Sequence, residues 1–237
     1  MRAIRRSSLV IVSAVLAQCT LFLPLDLVVV TDFADGAQGW SGGFSDYPVA
    51  SAGDHQLQCE LRPLPDYLGG DTAMYVSGNN PHDDLFMFLK ARTTGLEANH
   101  CYRIVFRLRI ASCYPAGSSG IGGSPAESVY LKVGATTVEP LVIEDGDSYL
   151  MNVDKGRQNE NGPAALVIGD IAKPGGEEAT YQIVSRDNAG APFEVTTDES
   201  GSLWLLVGTD SGFEGTTSIY YEWIRVEFYD AGPAAPA

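Results

Sequence analysis

The chain is poor in the residues that build nucleic-acid and zinc sites. Only 15 of its 237 residues are Lys or Arg, against 30 Asp or Glu, which gives a formal charge of −15. A surface of that charge repels phosphate backbones and anionic lipid headgroups, so we expect no nucleic-acid partner and no peripheral membrane role. The three histidines are scattered and no Cys-x-x-Cys pair is present, so the sequence holds no zinc-binding pattern.

Motifs of catalytic sites occur only in part. Gly117–Gly123 is rich in glycine but lacks the Gly-Lys-Ser/Thr ending of a phosphate-binding loop. Asn99–Cys101 and Thr209–Gly212 resemble two serine-protease motifs, yet Thr209 stands where the oxyanion-hole glycine is needed. Acidic residues are plentiful, but the carboxylate motif of the laminarinase-like jelly rolls is missing. No catalytic residue is therefore predicted, and the sequence favours a binding protein over an enzyme.

The N-terminal residues look like an export signal. Three arginines are followed by the apolar run LVIVSAVLA, which is the order of a signal peptide over Met1–Ala17. Leu16–Cys19 also resembles a bacterial lipobox, a motif that implies lipidation of Cys19. A second apolar run is interrupted by Pro24 and Asp26, which disfavours a transmembrane segment. We interpret residues 1–26 as a leader and apolar linker, and expect an extracytoplasmic protein that is periplasmic, secreted or lipid-anchored to the outer envelope.

Strand patterns dominate the rest of the sequence. The chain has 26 Gly and 13 Pro, and its β-branched and aromatic residues gather in short segments. The clearest strand is Gly95–Ala111, in which apolar residues alternate with Arg103, Arg107 and Arg109. A period of two is typical of an antiparallel strand with one face in the core and one in solvent. We expect acidic neighbours to pair with these arginines on the solvent face.

The spacing of the strands predicts the architecture. About ten to twelve strands follow one another at even spacing, without a strong helical period or an internal repeat. We predict an all-β fold, a single antiparallel β-sandwich of the jelly-roll kind, over residues 27–230. Leu27–Phe33 is the predicted first strand and Asp83–Lys90 a strand buried on both faces. AGPAAPA at 231–237 is predicted to be a disordered tail.

Three cysteines fall in the predicted domain. Cys101 and Cys113 bound a single strand, so their Cα atoms lie roughly 40 Å apart, too far for a disulfide. At most one bridge is expected, from Cys59 to either Cys101 or Cys113, and an odd thiol remains.

Two stretches resemble the galactose-binding-like jelly-roll modules, a group that includes many carbohydrate-binding modules. One is Phe33–Trp40, where Phe, an acidic residue, Gly and Gly-Trp end the first strand, and the other is the Tyr-x-Ile-x-Phe run at Tyr102–Phe106. In these modules an acidic residue two positions before the Ile of the last strand helps to bind a structural Ca²⁺, together with residues of the first strand. The resemblance therefore implies a calcium site at Glu222, with Asp32 or Asp35 as partners.

Aromatic residues are the candidates for ligand binding. Tyr221 and Trp223 are two positions apart on the last strand, a spacing of roughly 6.6 Å that suits stacking on successive sugars. Strand parity places both on the outer face and places Glu222 with the core-facing residues. Trp40 and Tyr47, in a Gly-rich aromatic loop, complete the predicted ligand site.

These features predict an exported, non-catalytic β-sandwich module that binds a glycan or another component of the cell envelope. Two alternatives stay open. One is a polysaccharide hydrolase or lyase on the same fold that uses acids of the concave face. The candidate carboxylates are those of Asp83, Asp84, Glu139, Glu144, Asp210 and Glu214. The other is a structural or adhesive surface protein without a small ligand. The sequence does not indicate an oligomeric state.

Overall fold

The protein is built almost entirely from antiparallel strands in the computed structural model, which describes residues 24–175 and 179–234. The predicted all-β fold and its β-sandwich architecture are confirmed. Short 3-10 helices span Phe33–Asp35, Val49–His55 and Asp66–Leu68, and no helix of the described chain is long and apolar enough to cross a membrane. The strands are β1 (Leu25–Asp32), β2 (Ser41–Ser45), β3 (Tyr47–Pro48), β4 (Gln58–Pro63), β5 (Thr72–Asn80), β6 (Phe86–Thr93), β7 (His100–Ser112), β8 (Val129–Thr136), β9 (Val142–Asp145), β10 (Ser148–Met151), β11 (Leu166–Asp170), β12 (Gln182–Asp187), β13 (Phe193–Thr196), β14 (Leu203–Ser211) and β15 (Gly215–Pro233).

The strands form two large sheets and one small one. The seven-stranded sheet has the order β12-β7-β15-β5-β4, with β1 paired to β15 and β13 paired to β7. The five-stranded sheet has the order β11-β8-β14-β6-β2, and β3, β10 and β9 form the small sheet. The pairs between these named strands are antiparallel.

The core lies between the two large sheets and follows the predicted alternation. On β7, the apolar side chains that alternate with the arginines are all buried against residues of the five-stranded sheet, which confirms the inward face of this strand. They are Tyr102, Ile104, Phe106, Leu108 and Ile110.

The outer face of β7 carries the expected ion pairs. Arg103 Nε lies 2.7 Å from Glu194 on β13, and Arg107 Nε lies 3.4 Å from Glu227 on β15. The Arg103–Glu194 pair is exposed and contributes at most about 1 kcal/mol to stability. Glu227, by contrast, is buried and is also paired with Arg225, 2.7 Å away. The main consequence of these pairs is that they cover the outer face of the seven-stranded sheet with paired charges.

Strand β6 is buried on both faces, as predicted for Asp83–Lys90, although it begins at Phe86. Met87 and Leu89 face the core between the sheets, while Phe86 and Phe88 face the opposite way. The outer face of the five-stranded sheet is therefore covered too, and the covering layer forms the candidate site described below.

A β-bulge in the last strand overturns the parity predicted for Tyr221 and Glu222, although Ile224, Val226 and Phe228 face the core as predicted. Tyr221 pairs with Ile110 and Trp223 with the adjacent Arg109, so Glu222 is an extra residue on β15. The extra residue changes which side chains face inward. Ile219 and Tyr221 face the core before the bulge, and Ile224, Val226 and Phe228 face it afterwards.

The ends of the domain differ slightly from the prediction. Strand β1 begins at Leu25, and β15 continues to Pro233, which pairs with His100. Residues 231–233 are thus strand rather than disordered tail. The pairing continues one residue further, where Ala234 N donates to Asn99 O over 3.2 Å. The leader and linker interpretation covers residues 1–26. Residues 1–23, including Cys19, lie outside the described residues, as do residues 235–237, whereas Leu25 and Asp26 belong to β1 rather than to a linker.

Candidate functional site

Two of the four aromatic residues predicted to bind a ligand lie in the core. Trp40 is 5% exposed, and its indole Nε1 donates to Thr31 Oγ1 over 2.9 Å. Tyr221 is 1% exposed and packs between the sheets, because the bulge at Glu222 turns it inward. The prediction that these two rings bind a ligand is wrong, since neither is accessible.

The other two predicted ligand residues are half-buried and lie in different sheets. Trp223 is on the seven-stranded sheet, opposite Asp32 of β1. Tyr47 is in β3 of the small sheet, paired with Tyr149 of β10. The structure therefore does not bring the predicted aromatic residues together into one platform.

The residues predicted to bind calcium are partly engaged elsewhere. Glu222 Oε2 lies 3.0 Å from Arg109 Nε, and the Asp32 carboxylate accepts from Ala34 N over 3.0 Å. Partial burial raises the pKa of Glu222, Arg109 opposes that shift, and Asp32 adds to it. Within the described ranges, no three His, Cys, Asp or Glu side chains form a group that could hold a metal ion. Asp35 joins no such group, and the calcium site stays a prediction.

The described cysteines, Cys59, Cys101 and Cys113, are all free. The single bridge that the sequence allowed between Cys59 and one of the other two is not formed. Cys59 lies instead against Met74, with the two sulfur atoms 3.8 Å apart.

The most unusual feature of the molecule is a charge network on the outer face of the five-stranded sheet. Lys132 of β8 and Asp210 of β14 are both fully buried, with Nζ and Oδ2 3.0 Å apart. Lys155 Nζ reaches the same Asp210 oxygen over 2.7 Å and Asp46 Oδ2 over 2.8 Å. Buried charges are stable only when they are paired and hydrogen-bonded, and each ammonium here faces a carboxylate.

The environment sets the charge state of the two lysines. Burial lowers the pKa of Lys132, although Asp210 opposes the shift. Burial acts in the same direction on Lys155, but the carboxylates of Asp210 and Asp46 outweigh it and raise the pKa. Lys155 therefore holds its proton more tightly than an ordinary lysine and Lys132 less tightly, with Asp210 favouring the charged form of both.

This network anchors a covering segment, residues 152–165, to the sheet. Lys132 Nζ donates to the backbone oxygens of Lys155 and Gly156, each over 3.0 Å. A Cβ added to Gly134 of β8 would lie 2.0 Å from Ala164 O, so the segment runs directly over the strand at this glycine. The polar stretch that separates two strands in the sequence is thus a fixed layer rather than a loose loop.

A charged groove opens where the covering segment meets Asp46 and the turn before β6. Its volume is about 520 Å³, and an adjoining hollow of about 500 Å³ shares Asp84, Arg157 and Glu160 with it. Apolar atoms come from Leu150, Met151 and Val153. We call the two hollows together the charged groove, and its polar side chains are those of Asp46, His82, Asp83, Asp84, Asp154, Lys155, Arg157, Gln158, Asn159, Glu160 and Asn161.

A row of rings borders the charged groove. Tyr149 and Tyr47 have ring centroids 5.1 Å apart, Tyr47 and His55 4.8 Å, and His55 and His82 5.9 Å. His55 is fully buried, while His82 is exposed and lines the groove itself. Tyr47 is therefore the one predicted ligand residue that the structure places beside the groove.

Two carboxyl groups of the groove have perturbed acidity. Loss of solvent raises the pKa of Asp84 to about 6, and the nearby carboxylates of Asp46 and Asp210 contribute. Burial also raises the pKa of Asp46, an effect that its contact with Lys155 opposes. The groove therefore offers a carboxyl group that binds a proton near pH 6 beside an ion-paired carboxylate.

The groove combines groups that suit a polyhydroxylated ligand. Carboxylates accept hydrogen bonds from hydroxyl groups, while the Arg157 guanidinium donates them and the Asn159 amide does both. The sequence identified Asp83, Asp84 and Asp210 only as members of an abundant class, and it missed Lys132, Lys155 and Asp46. A signal was available for Lys132, since it interrupts the apolar strand SVYLKV at a position where a charge must find a partner.

Comparisons with known proteins give a likeness of fold. No protein-family model matches the chain, and no curated protein matches it. Among solved structures, a carbohydrate-binding module described for specific mannan recognition has 10% identity and a TM-score of 0.39, covering 85% of this chain and 98% of its own. A module from Caldicellulosiruptor saccharolyticus in complex with mannohexaose has 12% identity and a TM-score of 0.38, covering 90% and 100%.

A third structure is described as one of the carbohydrate-binding modules from the β-sandwich superfamily. It has 13% identity and a TM-score of 0.38, and the match covers 81% of this chain and 60% of that one. β-Sandwich carbohydrate-binding modules are therefore among the solved structures that this chain is similar to.

Proposed function

We propose that the protein is an exported, non-catalytic module that binds a glycan or another polyhydroxylated component of the cell envelope through the charged groove. The observation that carries the proposal is the groove itself, built on a rigid sheet by a segment anchored through buried ion pairs. Ligand sites in proteins are concave, are held by rigid elements, and carry a few convergent polar groups. Export rests on the N-terminal sequence, and lipidation of Cys19 belongs to the same proposal.

The groove supplies two kinds of contact to a sugar chain. Arg157 and Asn159 are exposed and free to reach hydroxyl groups, and Asp84 and Glu160 accept from them. Rings at the border of the groove, above all the exposed His82, add apolar surface for the faces of a sugar. Net negative charge among the lining residues favours neutral glycans over uronate-rich or sulfated ones.

A glycan array with the full chain, followed by calorimetric titration of the best ligand, tests this proposal. Arg157→Ala is expected to weaken binding about tenfold or more, because a hydrogen bond from a charged group is lost. Arg92→Ala removes an exposed arginine outside the groove and is expected to bind like the wild type. Absence of binding to any glycan, or equal affinities for the two variants, contradicts the proposal.

A polysaccharide hydrolase is the second candidate, and one observation favours it. Asp84, with its pKa raised to about 6, is suited to protonate a leaving group, and Asp46 is a neighbouring carboxylate. Reducing-sugar release from a panel of polysaccharides distinguishes the two functions. Release that is lost in Asp84→Asn supports the enzyme, while binding without release supports the module.

A further inference from the structure

A second cavity lies where the glycine- and serine-rich loop 117–123 meets the turn between β14 and β15. Its volume is about 550 Å³, within the range of small-molecule sites. The rings of Tyr114 and Phe213 line it together with Pro115, Pro125 and Ile121. The lining is largely apolar, in contrast to the acidic surface of the chain and to the charged groove.

The two rings of this cavity are held in fixed positions. The Tyr114 hydroxyl donates to Thr216 O over 3.1 Å and accepts from Ser218 N over 2.7 Å. The Phe213 ring lies between the backbones of Gly120 and Gly215, where an added Cβ would come within 2.4 Å and 2.5 Å of it. Neither ring can turn to fill the space between them.

The loop that closes the cavity is fixed as well. Glu214 N donates to Ile121 O over 2.9 Å, which forms a short antiparallel bridge between loop and turn. Asn80 Nδ2 donates to Phe213 O over 2.9 Å and fixes the turn from the other side. The loop and the turn on this side of the cavity are therefore held in place before a ligand binds, which lowers the entropic cost of binding.

The polar groups of the lining define the chemistry of the ligand. Of the described lining residues, Glu214 is the only charged one, and Ser119 offers an exposed hydroxyl. Burial raises the pKa of the Cys113 thiol, although hydrogen bonds with Tyr181 and Tyr114 and the charge of Lys173 oppose that shift. A cavity with one carboxylate favours a cation and disfavours an anion of the same shape.

We propose that this cavity is a binding site for a small molecule with an aromatic or aliphatic body and a protonated amine that faces Glu214. The site is distinct from the charged groove and does not depend on the glycan-binding proposal. Its described residues come from the segment that follows β7, from positions 119–125, from Ala179 and from the turn after β14.

Matched phenylbutylamine and phenylbutyrate are suitable probes, with alkylation of the free cysteines by iodoacetamide as the readout. The reaction is run at about pH 9, because the thiolate is the reactive form of cysteine and the amine is still protonated there. Cys113 lines the cavity, whereas Cys59 and Cys101 do not, so one digest of the full chain contains its own controls. We expect saturating phenylbutylamine to slow alkylation of Cys113 severalfold and to leave the rates of Cys59 and Cys101 unchanged. Phenylbutyrate is expected to protect Cys113 less at the same concentration.

Variants locate the site and its charge preference. Ser119→Trp fills the mouth of the cavity from an exposed position and should abolish the protection, while Ala189→Trp, also exposed, should not. Glu214→Gln should weaken the amine about threefold and leave phenylbutanol unchanged, since only an ion pair is lost. Protection of Cys113 that survives Ser119→Trp, equal protection by amine and carboxylate, or no protection by the amine each overturns the proposal.

Discussion

Replacing Asp210 by Asn is the sharpest test of the buried charge network. The change keeps the shape of the side chain but removes the carboxylate that faces both Lys132 and Lys155. Lys155 keeps Asp46 at 2.8 Å, so the loss falls mainly on Lys132, which is fully buried. A buried charge that loses its partner typically destabilises a protein by about 3–5 kcal/mol.

The free energy needed to deprotonate a lysine gives a second, independent value for the expected loss of stability. Without Asp210, Lys132 can avoid the cost of a buried, unpaired charge by losing its proton. From an ordinary pKa of about 10.4, deprotonation at pH 7 costs about 4.6 kcal/mol, and at pH 9 only about 2 kcal/mol. In the variant the unfolded chain then binds a proton that the folded chain lacks, so its stability rises with pH relative to the wild type.

Urea unfolding followed by tryptophan fluorescence measures this effect at pH 7 and pH 9. We expect Asp210→Asn to lose about 4 kcal/mol at pH 7, roughly 10 °C in melting temperature, and about half as much at pH 9. Asp147→Asn, the same change at an exposed position, should stay within about 0.5 kcal/mol of the wild type. A loss below about 1 kcal/mol at pH 7, or one that does not shrink with pH, refutes the reasoning.

Three further changes test other parts of the structure. Asp84 has a pKa of about 6 when folded, above its unfolded value, so its own contribution to stability is lost as pH rises from about 4 to 6, and pH-dependent unfolding should show Asp84→Asn gaining stability relative to the wild type over that range. Trp40→Ala should cost about 3–5 kcal/mol in urea unfolding, because a buried indole is lost, and soluble protein of wild-type stability would contradict its place in the core. Gly134→Ala should increase the hydrogen exchange of the covering segment, because the added Cβ would collide with Ala164 O. Gly53→Ala is the control and should exchange like the wild type, because a Cβ there has no atom within 4 Å.

The β-sandwich was predictable because alternation of apolar and polar residues indicates a strand with one face in the core and one in solvent. Strand β7 shows this most clearly, since its arginines must face outward once Phe106 and its neighbours face the core. The burial of β6 on both faces was equally readable from the run LFMFL. Neither pattern, however, reveals what covers the outer face of a sheet.

The last strand shows where sequence periodicity fails. One extra residue, Glu222, changes the inward face of β15, and no residue type in that stretch indicates a bulge. The change placed Tyr221 in the core and left Trp223 outside it. Trp40 was misassigned for a different reason, because a Gly-rich loop can carry an aromatic ring either outward or inward.

The charged groove depends on contacts between residues far apart in the chain. Lys155 and Asp210 are separated by 55 positions, and Asp46 comes from a third region. A single sequence gives no measure of such pairings. The sequence shows a single Lys132 in an apolar strand, and it shows the polar stretch Asp154–Pro163. It does not show that the two interact, a contact that forms only in the folded chain.

An NMR titration of the ¹⁵N-labelled protein with its best glycan tests the central claim most directly. The account predicts shifts of backbone amides in residues 154–161, which form one wall of the charged groove, and no shift of the Trp223 indole on the opposite sheet. Shifts that centre on Trp223, with amides 154–161 unchanged, would contradict the account and place the ligand on the seven-stranded sheet.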